Sequence, residues 1–512
     1  MIALTAAQVA ALVGGTLTLP DGVAAEDVVV TSVVTDSREV TPGALFVAIA
    51  GEHVDGHDHA AGAVAAGASL VLTERSLASS DSAPDTAPDG EPLPSVQVAD
   101  SVRALGELAR GVLARLRERP EGAPRVLAMT GSVGKTTTKD LLAQVFAADG
   151  PTVAPVRSFN NEVGLPVTVL RCTEETRTLV LEMGADAPGN IDYLTAIAPP
   201  DVAAVLVVGS AHLAGMGGID GVAHEKAAIV RGLRPGGTAV LNADDPRVAA
   251  MAQQASGAVL TFGRSAGADV RATDVTAGGA RASFTLHHDG RTAPVTLRLV
   301  GEHHVTNALA AAATAIAAGL SLDVVARRLS QADAASPHRM AVTELADGVT
   351  LVDDSYNANP DSMRAALKAL VAIGAGRRTV AVLGEMLELG EVALTEHDAL
   401  GRLAVRLDVS RLLVVGRGAR AMYTGALLEG SFGEEAAFAE DVEEARTWLR
   451  REVLPGDVVL VKSSNGAGLY RLADALVAEG SVRGSRDGSA AGAASADDAP
   501  HADQRADQQV DA

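Results

Sequence analysis

The sequence predicts an α/β protein of three domains, in which the two larger domains are doubly wound sheets of mostly parallel strands. Its 512 residues are too many for one hydrophobic core. Short apolar runs alternate with helical stretches over much of the chain, and this alternation is typical of parallel strands that helices cover on both faces. Aromatic residues make up only 2% of the chain, so we expect small aliphatic side chains to fill the layers.

Residues 1–105 are predicted to form a small mixed α/β N-terminal domain. Within it, residues 79–95 contain four prolines, four acidic residues and no basic residue. This composition indicates a disordered, solvated surface loop. A helical stretch, Ser101–Arg119, leads into the second domain.

Residues 106–335 are predicted to form a central domain around a parallel sheet. Its candidate strands are short apolar runs between helical segments. They are Val126–Met129, Thr178–Met183, Val202–Val208 and Thr238–Asn242.

Residues 336–480 repeat the alternation and predict a smaller, Rossmann-like C-terminal domain. Its candidate strands are Thr350–Asp353, Val380–Leu383, Leu412–Val415 and Val458–Val461, with helices such as Asp361–Ile373 and Thr395–Leu407 between them. Residues 481–512 have almost no large apolar side chain, which predicts a disordered tail.

Charge and cysteine content exclude several classes of partner and site. The formal net charge is −22 and the pI is about 4.9, whereas binding to nucleic acid or an anionic membrane requires a basic face. The only cysteine is Cys172, so a disulfide framework or a thiolate zinc site is excluded. The N-terminus has no signal-peptide pattern, and the longest apolar run, near Ala308 to Leu320, is shorter than the roughly 20 residues of a membrane span. We therefore expect a cytoplasmic protein. We also expect a monomer, although none of these observations bears on the oligomeric state.

A glycine-containing turn between a predicted strand and a predicted helix is the strongest local motif. After RVLAMT the chain continues with Gly131, Ser132, Val133, Gly134, Lys135, Thr136 and Thr137. Such a turn points backbone N–H groups at a phosphate, beside the positive end of the helix dipole. Lys135 can reach the β- and γ-phosphates, and the Thr136 hydroxyl can bind Mg²⁺.

This motif is a shortened variant, because the strict pattern has glycine where Met129 stands. The alternative is a strand–helix turn that binds nothing, but the flanking strand and helix favour a P-loop ATPase sheet. A guanine-recognition motif of the form Asn-Lys-x-Asp is missing, since Asn242–Asp245 reads NADD. A GTPase switch is therefore disfavoured.

Further polar residues follow other strands of the predicted central sheet. Glu182 ends one strand, His212 follows another, and Asn160 and Asn161 lie in a loop after a third. Ligands bind at the carboxyl ends of parallel strands, so a carboxylate and an imidazole there could hold a second Mg²⁺. Lys226, in GVAHEKAAIV, lies on a probable helix soon after His212. The alternatives are a surface acid for Glu182, a loop or cap residue for His212, and a solvated helical lysine for Lys226.

The chain resembles the Mur ligases of bacterial peptidoglycan synthesis from about Thr31 to Ala478. The resemblance rests on GSVGKTTTKD, NNEVGLPVTVL, LEMGAD, GEHHVTNALAA, DDSYNANPDSM and VLGEMLELG. Asp36-Ser37-Arg38 followed by GALFVAIAGEHVDGH is similar to the UDP-sugar pocket of this family. The most specific segment is DDSYNANPDSM.

The resemblance implies an ATP-dependent ligase that joins D-alanyl-D-alanine to the terminal carboxylate of UDP-N-acetylmuramoyl-tripeptide through an acyl phosphate. It implies that Lys135, Glu182, His212 and Lys226 are catalytic. It implies two Mg²⁺ ions held by Thr136, Glu182, His212 and a carbamylated Lys226, and ATP contacts from the phosphate loop, Asn307, Arg339 and Asp354. For the substrates it implies Ser37, Arg38, Asp55 and His57 around the uridine nucleotide, and Asn160, Asn161, Asn357, Asn359 and Lys462 elsewhere.

The chain departs from the pattern of the family at two points. The usual Gly-Arg pair reads His338-Arg339, so we expect a different backbone before the arginine. The usual Val-Lys-Gly-Ser-Arg reads Val461-Lys462-Ser463-Ser464-Asn465, so Asn465 replaces a cation, and Lys462 is a candidate to compensate. We also expect the C-terminal domain to close about a hinge at Ala334–Arg339, which would keep water from the acyl phosphate.

Two alternative functions stay open. The first is another amide ligase of the same architecture, such as the enzyme that adds the third peptide residue or a folyl-polyglutamate synthase. The second is a non-catalytic nucleotide-binding relative. DDSYNANPDSM and the similarity to the UDP-sugar pocket oppose the first alternative. The second is opposed by the intact residues Lys135, Thr136, Glu182, His212 and Lys226.

Overall fold

The computed structural model describes residues 1–51, 54–77, 92–120, 122–156, 158–209, 213–276, 281–430 and 435–482. Most of the predicted loop at 79–95 and of the predicted tail lies outside these ranges. The parts that lie inside correct both predictions, because Leu93 is buried, Ser95 begins a strand, and Val482 packs in the C-terminal core. Among the described residues, every helix is too short or too polar to cross a membrane.

The N-terminal part contains a five-stranded sheet in the order β2-β7-β6-β5-β4 and a separate antiparallel pair, β1 and β3. The strands are β1 Leu4–Thr5, β2 Thr16–Thr18, β3 Val29–Val30, β4 Ser32–Val34, β5 Ala44–Val47, β6 Ala68–Thr73 and β7 Ser95–Gln97. The helices are α1 Ala6–Val13, α2 Ala60–Ala65 and α3 Ser101–Arg117. Helix α1 begins at a capping box of Thr5 and Gln8 and ends at Gly14, which has a φ of 64°.

Helix α3 joins the N-terminal part to the central part. It begins where the Asp100 side chain accepts a hydrogen bond from the Arg103 N–H. It packs on α1 of the N-terminal part and, on the other side, on helices of the central part, so one hydrophobic core runs through both. The predicted boundary at residue 105 falls inside this helix.

The central part is built on a sheet of nine described strands in the order β16-β15-β14-β13-β12-β11-β8-β10-β9. The strands are β8 Arg125–Thr130, β9 Thr152–Val153, β10 Thr178–Glu182, β11 Val202–Val205, β12 Thr238–Asn242, β13 Ala258–Gly263, β14 Val270–Thr276, β15 Arg281–His288 and β16 Arg291–Val300. The helices are α4 Lys135–Ala147, α5 Gly164–Leu170, α6 Asn190–Ile197, α7 Leu213–Met216, α8 Ile219–Arg231, α9 Pro246–Ala250, α10 His304–Ala317 and α11 Leu322–Gln331.

Two hydrophobic cores lie on opposite faces of this sheet, as the prediction of a doubly wound sheet requires. The long apolar run near Ala308 to Leu320 is mainly helix α10, whose alanines are buried in the second core. The prediction is incomplete at one edge, because β14, β15 and β16 pair antiparallel. In β16 buried and exposed residues alternate, the period expected of a strand with one solvated face.

The C-terminal part is a six-stranded sheet in the order β17-β18-β22-β19-β20-β21, parallel except for the edge strand β17. The strands are β17 Ala341–Glu344, β18 Thr350–Asp353, β19 Thr379–Leu383, β20 Arg411–Val415, β21 Ala436–Ala439 and β22 Val458–Lys462. The helices are α12 Pro360–Gly374, α13 Ala393–Arg406, α14 Arg420–Glu429, α15 Val442–Glu452 and α16 Tyr470–Glu479. Separate cores cover the two faces of the sheet, so the α/β fold class is confirmed.

The strand predictions are confirmed in place and differ mainly at their ends. Thr238–Asn242 and Thr350–Asp353 are strands with the predicted bounds. The predicted strand Val202–Val208 pairs with its neighbours only as far as Val205. Beyond it, the Ser132 N–H still donates to the Val207 carbonyl at 2.8 Å. There the chain leaves the sheet to border the phosphate loop.

Candidate active site

A cavity of about 550 Å³ lies between the central and C-terminal parts of the chain. Its walls combine the phosphate loop, the carboxyl end of β10 and helices α8 and α10 with the segment Asp354–Asn359 and the end of β22. Most predicted site residues that the structure describes therefore meet in one place.

The phosphate loop follows β8 and precedes α4, as the sequence predicts. Gly134 has a φ of 85°, a conformation that side chains rarely adopt. A Cβ at Gly134 would lie 2.2 Å from Asn307 Oδ1, so only glycine allows the loop to approach helix α10. Ser132 exchanges hydrogen bonds with Gly209, at 3.2 Å and 2.8 Å. The loop is thus fixed on both sides, and Ser132, Val133, Gly134, Lys135, Thr136 and Thr137 line the cavity, whereas Gly131 does not.

Lys135 supplies a cation at the mouth of this loop. Its Nζ donates to the Gly131 carbonyl at 2.8 Å. Burial lowers the pKa of Lys135, while the nearby Glu182 carboxylate opposes that shift. The ammonium is therefore poorly hydrated and able to interact strongly with an anion in the cavity.

Glu182 is a buried carboxylate with neutral hydrogen-bond donors. Its Oε2 accepts from Thr136 Oγ1 at 3.0 Å and its Oε1 accepts from Asn160 Nδ2 at 2.8 Å. Within the described part of the chain it forms no salt bridge, although it is only 1% exposed. A buried carboxylate that forms no salt bridge is suited to bind a metal ion, and the interpretation of Glu182 as a surface acid is wrong.

Lys226 lies on helix α8 and faces the same cavity. It is 4% exposed, so its interpretation as a solvated lysine is also wrong. Burial and the positive charge of Lys135 lower the pKa of Lys226 to about 7. A substantial fraction of its amine is consequently neutral, and nucleophilic, at physiological pH.

The predicted metal ligand His212 lies outside the described residues. Within the described residues, no group of three or more His, Cys, Asp or Glu side chains is placed to hold a metal ion. Of the predicted metal ligands, the Thr136 hydroxyl and Glu182 are in contact at 3.0 Å, and Lys226 faces the same cavity.

Several of the predicted asparagines also have structural roles. Asn161 Oδ1 accepts from the Gly164 N–H at 2.9 Å at the start of α5. Asn359 caps α12, and its Nδ2 lies 3.5 Å from the Ser132 carbonyl of the phosphate loop. Asn357 Oδ1 accepts from the Ala358 N–H. All three line the cavity, so these hydrogen bonds also hold amide groups at its wall.

Arg339 reaches across the cavity from the segment that links the two parts. Its Nη2 donates to Thr136 Oγ1 at 3.2 Å and to Ser158 Oγ at 3.1 Å. Its guanidinium carbon lies 4.2 Å from the centre of the Tyr356 ring. Its Nε is buried without a hydrogen-bond partner in the described structure, which leaves one donor for a ligand.

Asp354 and Lys462 are paired with each other. Lys462 Nζ lies 2.6 Å from Asp354 Oδ2 and 2.9 Å from the Asn357 carbonyl. The pair is buried, and burial lowers the pKa of Lys462 while Asp354 opposes the shift. Because these acceptors occupy the ammonium, Lys462 is poorly placed in this conformation to replace the cation lost at Asn465, which is exposed.

The four residues predicted around the uridine nucleotide lie in the N-terminal part and do not line this cavity. Ser37 and Arg38 are in a short 3₁₀ turn, where Arg38 pairs with Asp36 at 2.5 Å. His57 is buried, with Nδ1 2.6 Å from Asp55 Oδ1 and Nε2 accepting from the Glu74 N–H at 3.0 Å. Both ring nitrogens are occupied, so His57 orients Asp55 and has no free nitrogen for a ligand.

The cavity also contains residues that were not predicted, among them Ser158, Tyr356 and His304. Ser158 shares a hydrogen bond with Thr136, at 2.8 Å, and the side chain of His304 is buried with Nε2 unpartnered in the described structure. Tyr356 lies inside DDSYNANPDSM, and Ser158 lies two residues before Asn160, so motif position was the available signal for both.

The chain matches three domain families along its length. The match described as "Mur ligase family, catalytic domain" covers residues 29–112, "Mur ligase middle domain" covers residues 129–315, and "Mur ligase, glutamate ligase domain" covers residues 338–465. Together they span most of the described chain.

Individual relatives agree with these matches. A Mycobacterium bovis protein named UDP-N-acetylmuramoyl-tripeptide--D-alanyl-D-alanine ligase is 48% identical and covers 94% of this chain and 100% of its own. An Escherichia coli protein of the same name is 34% identical over 94% and 100%. The crystal structure of MurF from Acinetobacter baumannii superposes with a TM-score of 0.79 at 32% identity, over 93% of this chain and 99% of that one. MurF ligase from Thermotoga maritima in complex with ADP gives a TM-score of 0.72 at 29% identity, over 86% and 96%. The chain belongs to the Mur ligase family.

Proposed function

We propose that this protein joins D-alanyl-D-alanine to the terminal carboxylate of UDP-N-acetylmuramoyl-tripeptide in an ATP-dependent ligation that completes the peptide of the peptidoglycan precursor. The observation that carries the proposal is the cavity in which Lys135, Thr136 and Glu182 face Arg339 across the two parts of the chain. The names of the relatives supply the substrates, and an ADP complex of a relative supports the nucleotide.

The chemistry starts from a poor electrophile, an ionised carboxylate. A carboxylate oxygen of the tripeptide attacks the γ-phosphorus, the bond from that phosphorus to the β-phosphate oxygen breaks, and ADP leaves. The amine of D-alanyl-D-alanine then attacks the acyl carbon, phosphate leaves with the carboxylate oxygen, and the amine loses a proton. Lys135 and Arg339 offset the repulsion between carboxylate and phosphate because both cations face the cavity.

The residues present suit Mg²⁺. Glu182 offers a carboxylate that forms no salt bridge with the described side chains, and the Thr136 hydroxyl lies 3.0 Å from it. Mg²⁺ bound there would neutralise phosphate charge. Asn160 orients the carboxylate, since its Nδ2 donates to Glu182 Oε1.

Lys226 is the candidate residue for carbamylation, and its carbamate would be a ligand for a second metal ion. A neutral amine adds to CO₂, the new N–C bond forms, one proton leaves, and a cation becomes an anion. The depressed pKa of Lys226, about 7, favours the neutral amine. Lys226→Ala should lose turnover and recover part of it with added short carboxylates. If no carboxylate rescues the variant, the carbamate proposal fails.

The competing proposals are a ligase that adds the third peptide residue and a nucleotide-binding protein without ligase activity. Phosphate release should require ATP, UDP-N-acetylmuramoyl-tripeptide and D-alanyl-D-alanine together, because the acyl phosphate is consumed by the amine. A third-residue enzyme would release phosphate with the dipeptide precursor and a diamino acid, and a binding protein would release none. Either of these results would refute the proposed function.

A further inference from the structure

The two residues that flank Arg339 have a backbone conformation that residues other than glycine rarely adopt. His338 has a φ of 58° and Met340 a φ of 52°, both in the left-handed region that favours glycine. Non-glycine residues persist there only when neighbouring contacts hold them. A glycine at position 338 would adopt this conformation without strain, and a different backbone before Arg339 stays a prediction.

Each flanking residue is held by one of two consecutive acids at the end of β18. His338 Nδ1 lies 2.7 Å from Asp353 Oδ2. The Met340 N–H donates to Asp354 Oδ1 at 3.1 Å. The backbone on both sides of Arg339 is thus tied to the same short segment of the C-terminal part.

The His338 ring has further partners in that part of the chain. Its Nε2 lies 3.6 Å from Asp474 Oδ1. The ring meets the edge of the Tyr470 ring at a centroid distance of 6.1 Å. The Tyr356 N–H donates to the His338 carbonyl at 3.3 Å. His338 is therefore anchored through its side chain and its backbone.

The side chain between these anchors is the one that crosses the cavity. Arg339 contacts Thr136 and Ser158 on the far side. A rotation of the backbone at residue 338 would move the Arg339 guanidinium away from both hydroxyls. The displacement is large because the guanidinium lies at the far end of a long side chain.

We propose that His338 is a positioning residue, whose contact with Asp353 holds the backbone so that Arg339 reaches the nucleotide site. At a position where the family typically has glycine, the histidine achieves by a side-chain anchor what glycine achieves by conformational freedom. The effect on the reaction rests on the proposed function, since it is transmitted through Arg339.

The test measures the dissociation constant of the whole chain for Mg·ATP. His338→Ala keeps a Cβ at a positive φ and removes the anchor, so we expect affinity to fall about tenfold, the loss typical of one misplaced bond to a charged group. His338→Asn should bind within about threefold of the wild type, because asparagine tolerates the left-handed region and can donate to Asp353. Asp408→Gly, at an exposed residue with a φ of 56°, is the matched control and should bind like the wild type.

A double-mutant cycle separates positioning from general destabilisation. If His338 acts through Arg339, His338→Ala should cause no further loss of affinity in an Arg339→Ala background. An undiminished loss in that background, or unchanged affinity of His338→Ala alone, would overturn the proposal. Should His338→Ala fail to fold, Asp353→Asn replaces it in the cycle with the same criteria.

The measurement does not depend on the amine or the tripeptide. Failure of the chain to ligate D-alanyl-D-alanine would refute the proposed function. The double-mutant cycle would still test the positioning role of His338, because it measures only the affinity for Mg·ATP. A wild-type chain that bound no Mg·ATP would overturn both.

Discussion

Ionisable side chains of both signs meet, largely buried, at the candidate active site of this chain. Lys135, Glu182 and Lys226 face one cavity, and at both lysines burial depresses the pKa. Buried charges without complete pairing are costly, so their retention in a protein of net charge −22 is explained by a ligand that they bind.

Lys135→Ala tests the first of these charges. Because Lys135 supplies a cation beside the phosphate loop, its loss should reduce phosphate release by roughly 10²–10³-fold or more with little change in the thermal unfolding midpoint. Lys368→Ala, at an exposed lysine of α12, is the control and should keep full turnover. Unchanged phosphate release in Lys135→Ala would mean that ATP binds elsewhere.

The depressed pKa of Lys226 makes stability depend on pH. Between about 7 and the ordinary value of 10.5 the unfolded chain binds one more proton than the folded chain, so the free energy of unfolding rises with pH through this window. Below about pH 7 both states are protonated and the cost of burial is present in full. Relative to that of Lys226→Met, the free energy of unfolding of the wild type should therefore rise by up to about 1.4 kcal/mol per pH unit in this window.

Chemical unfolding in CO₂-free buffer across that window measures the difference between the two proteins. Lys368→Met, at the exposed lysine of α12, should run parallel to the wild type. Parallel curves for Lys226→Met as well would contradict the burial of a neutral amine at position 226.

How much of the site could be predicted depended on whether a residue belongs to a local motif. The phosphate loop, Glu182 and Arg339 are recognisable from their segments, and the structure places them together. Ser158 lies close to a motif, but its contact with Thr136 joins residues 22 positions apart, and the anchor of His338 joins residues 15 positions apart. Sequence spacing does not reveal such contacts. The burial of Lys226 depends in the same way on its surroundings, because a lysine in a helix is usually solvated.

At the scale of elements, helix α4 does more than present the phosphate loop. Its residue Asp140 accepts from the Ser336 N–H at 3.1 Å, and Lys139 lies 2.5 Å from Asp140. Gln144 exchanges hydrogen bonds with the backbone of Asp333, at 2.9 Å and 3.0 Å. The segment from Asp333 to Ser336 is therefore fixed to the central part.

Asp140→Ala should strongly destabilise this junction. It leaves the buried Lys139 ammonium without its carboxylate, which costs about 3–5 kcal/mol when a buried pair is broken. The double variant Lys139→Met, Asp140→Leu should recover most of that loss, since neither charge stays buried. Thermal unfolding of the full chain measures both.

Asp149→Ala provides the comparison at the end of the same helix. It breaks a more exposed pair with Arg328 and should cost about 1 kcal/mol or less. Equal losses of stability in Asp140→Ala and Asp149→Ala would show that the buried pair at the junction contributes no more to stability than the more exposed pair does.

The elements themselves were predictable where their periodicity is strong. Thr238–Asn242 and Thr350–Asp353 are continuous apolar runs buried on both faces, and their bounds are as predicted. Strands β15 and β16 were not predicted, because they alternate apolar and polar residues and form an antiparallel edge. A search for parallel-sheet strands passes over such segments.

At the scale of the whole molecule, the contacts restrict the predicted hinge, Ala334–Arg339, to fewer residues. Ser336 is bound to helix α4, whereas His338 is bound to Asp353 of the C-terminal part. Pro337 lies between them, so we propose that closure turns at this residue. Nucleotide and tripeptide together should lower the radius of gyration in solution scattering, because both parts of the chain line the cavity. Equal scattering with and without these ligands would argue against closure.

The transfer of a phosphoryl group to a carboxylate is the central claim, and an isotope measurement tests it most directly. The tripeptide is prepared with ¹⁸O in its terminal carboxylate and incubated with the enzyme, ATP and D-alanyl-D-alanine, and the released phosphate is analysed by mass. One ¹⁸O atom per phosphate is predicted, because the carboxylate oxygen that attacks the γ-phosphorus leaves with the phosphate when the amide forms. Released phosphate without ¹⁸O would contradict the account, since it would mean that the phosphoryl group went to water.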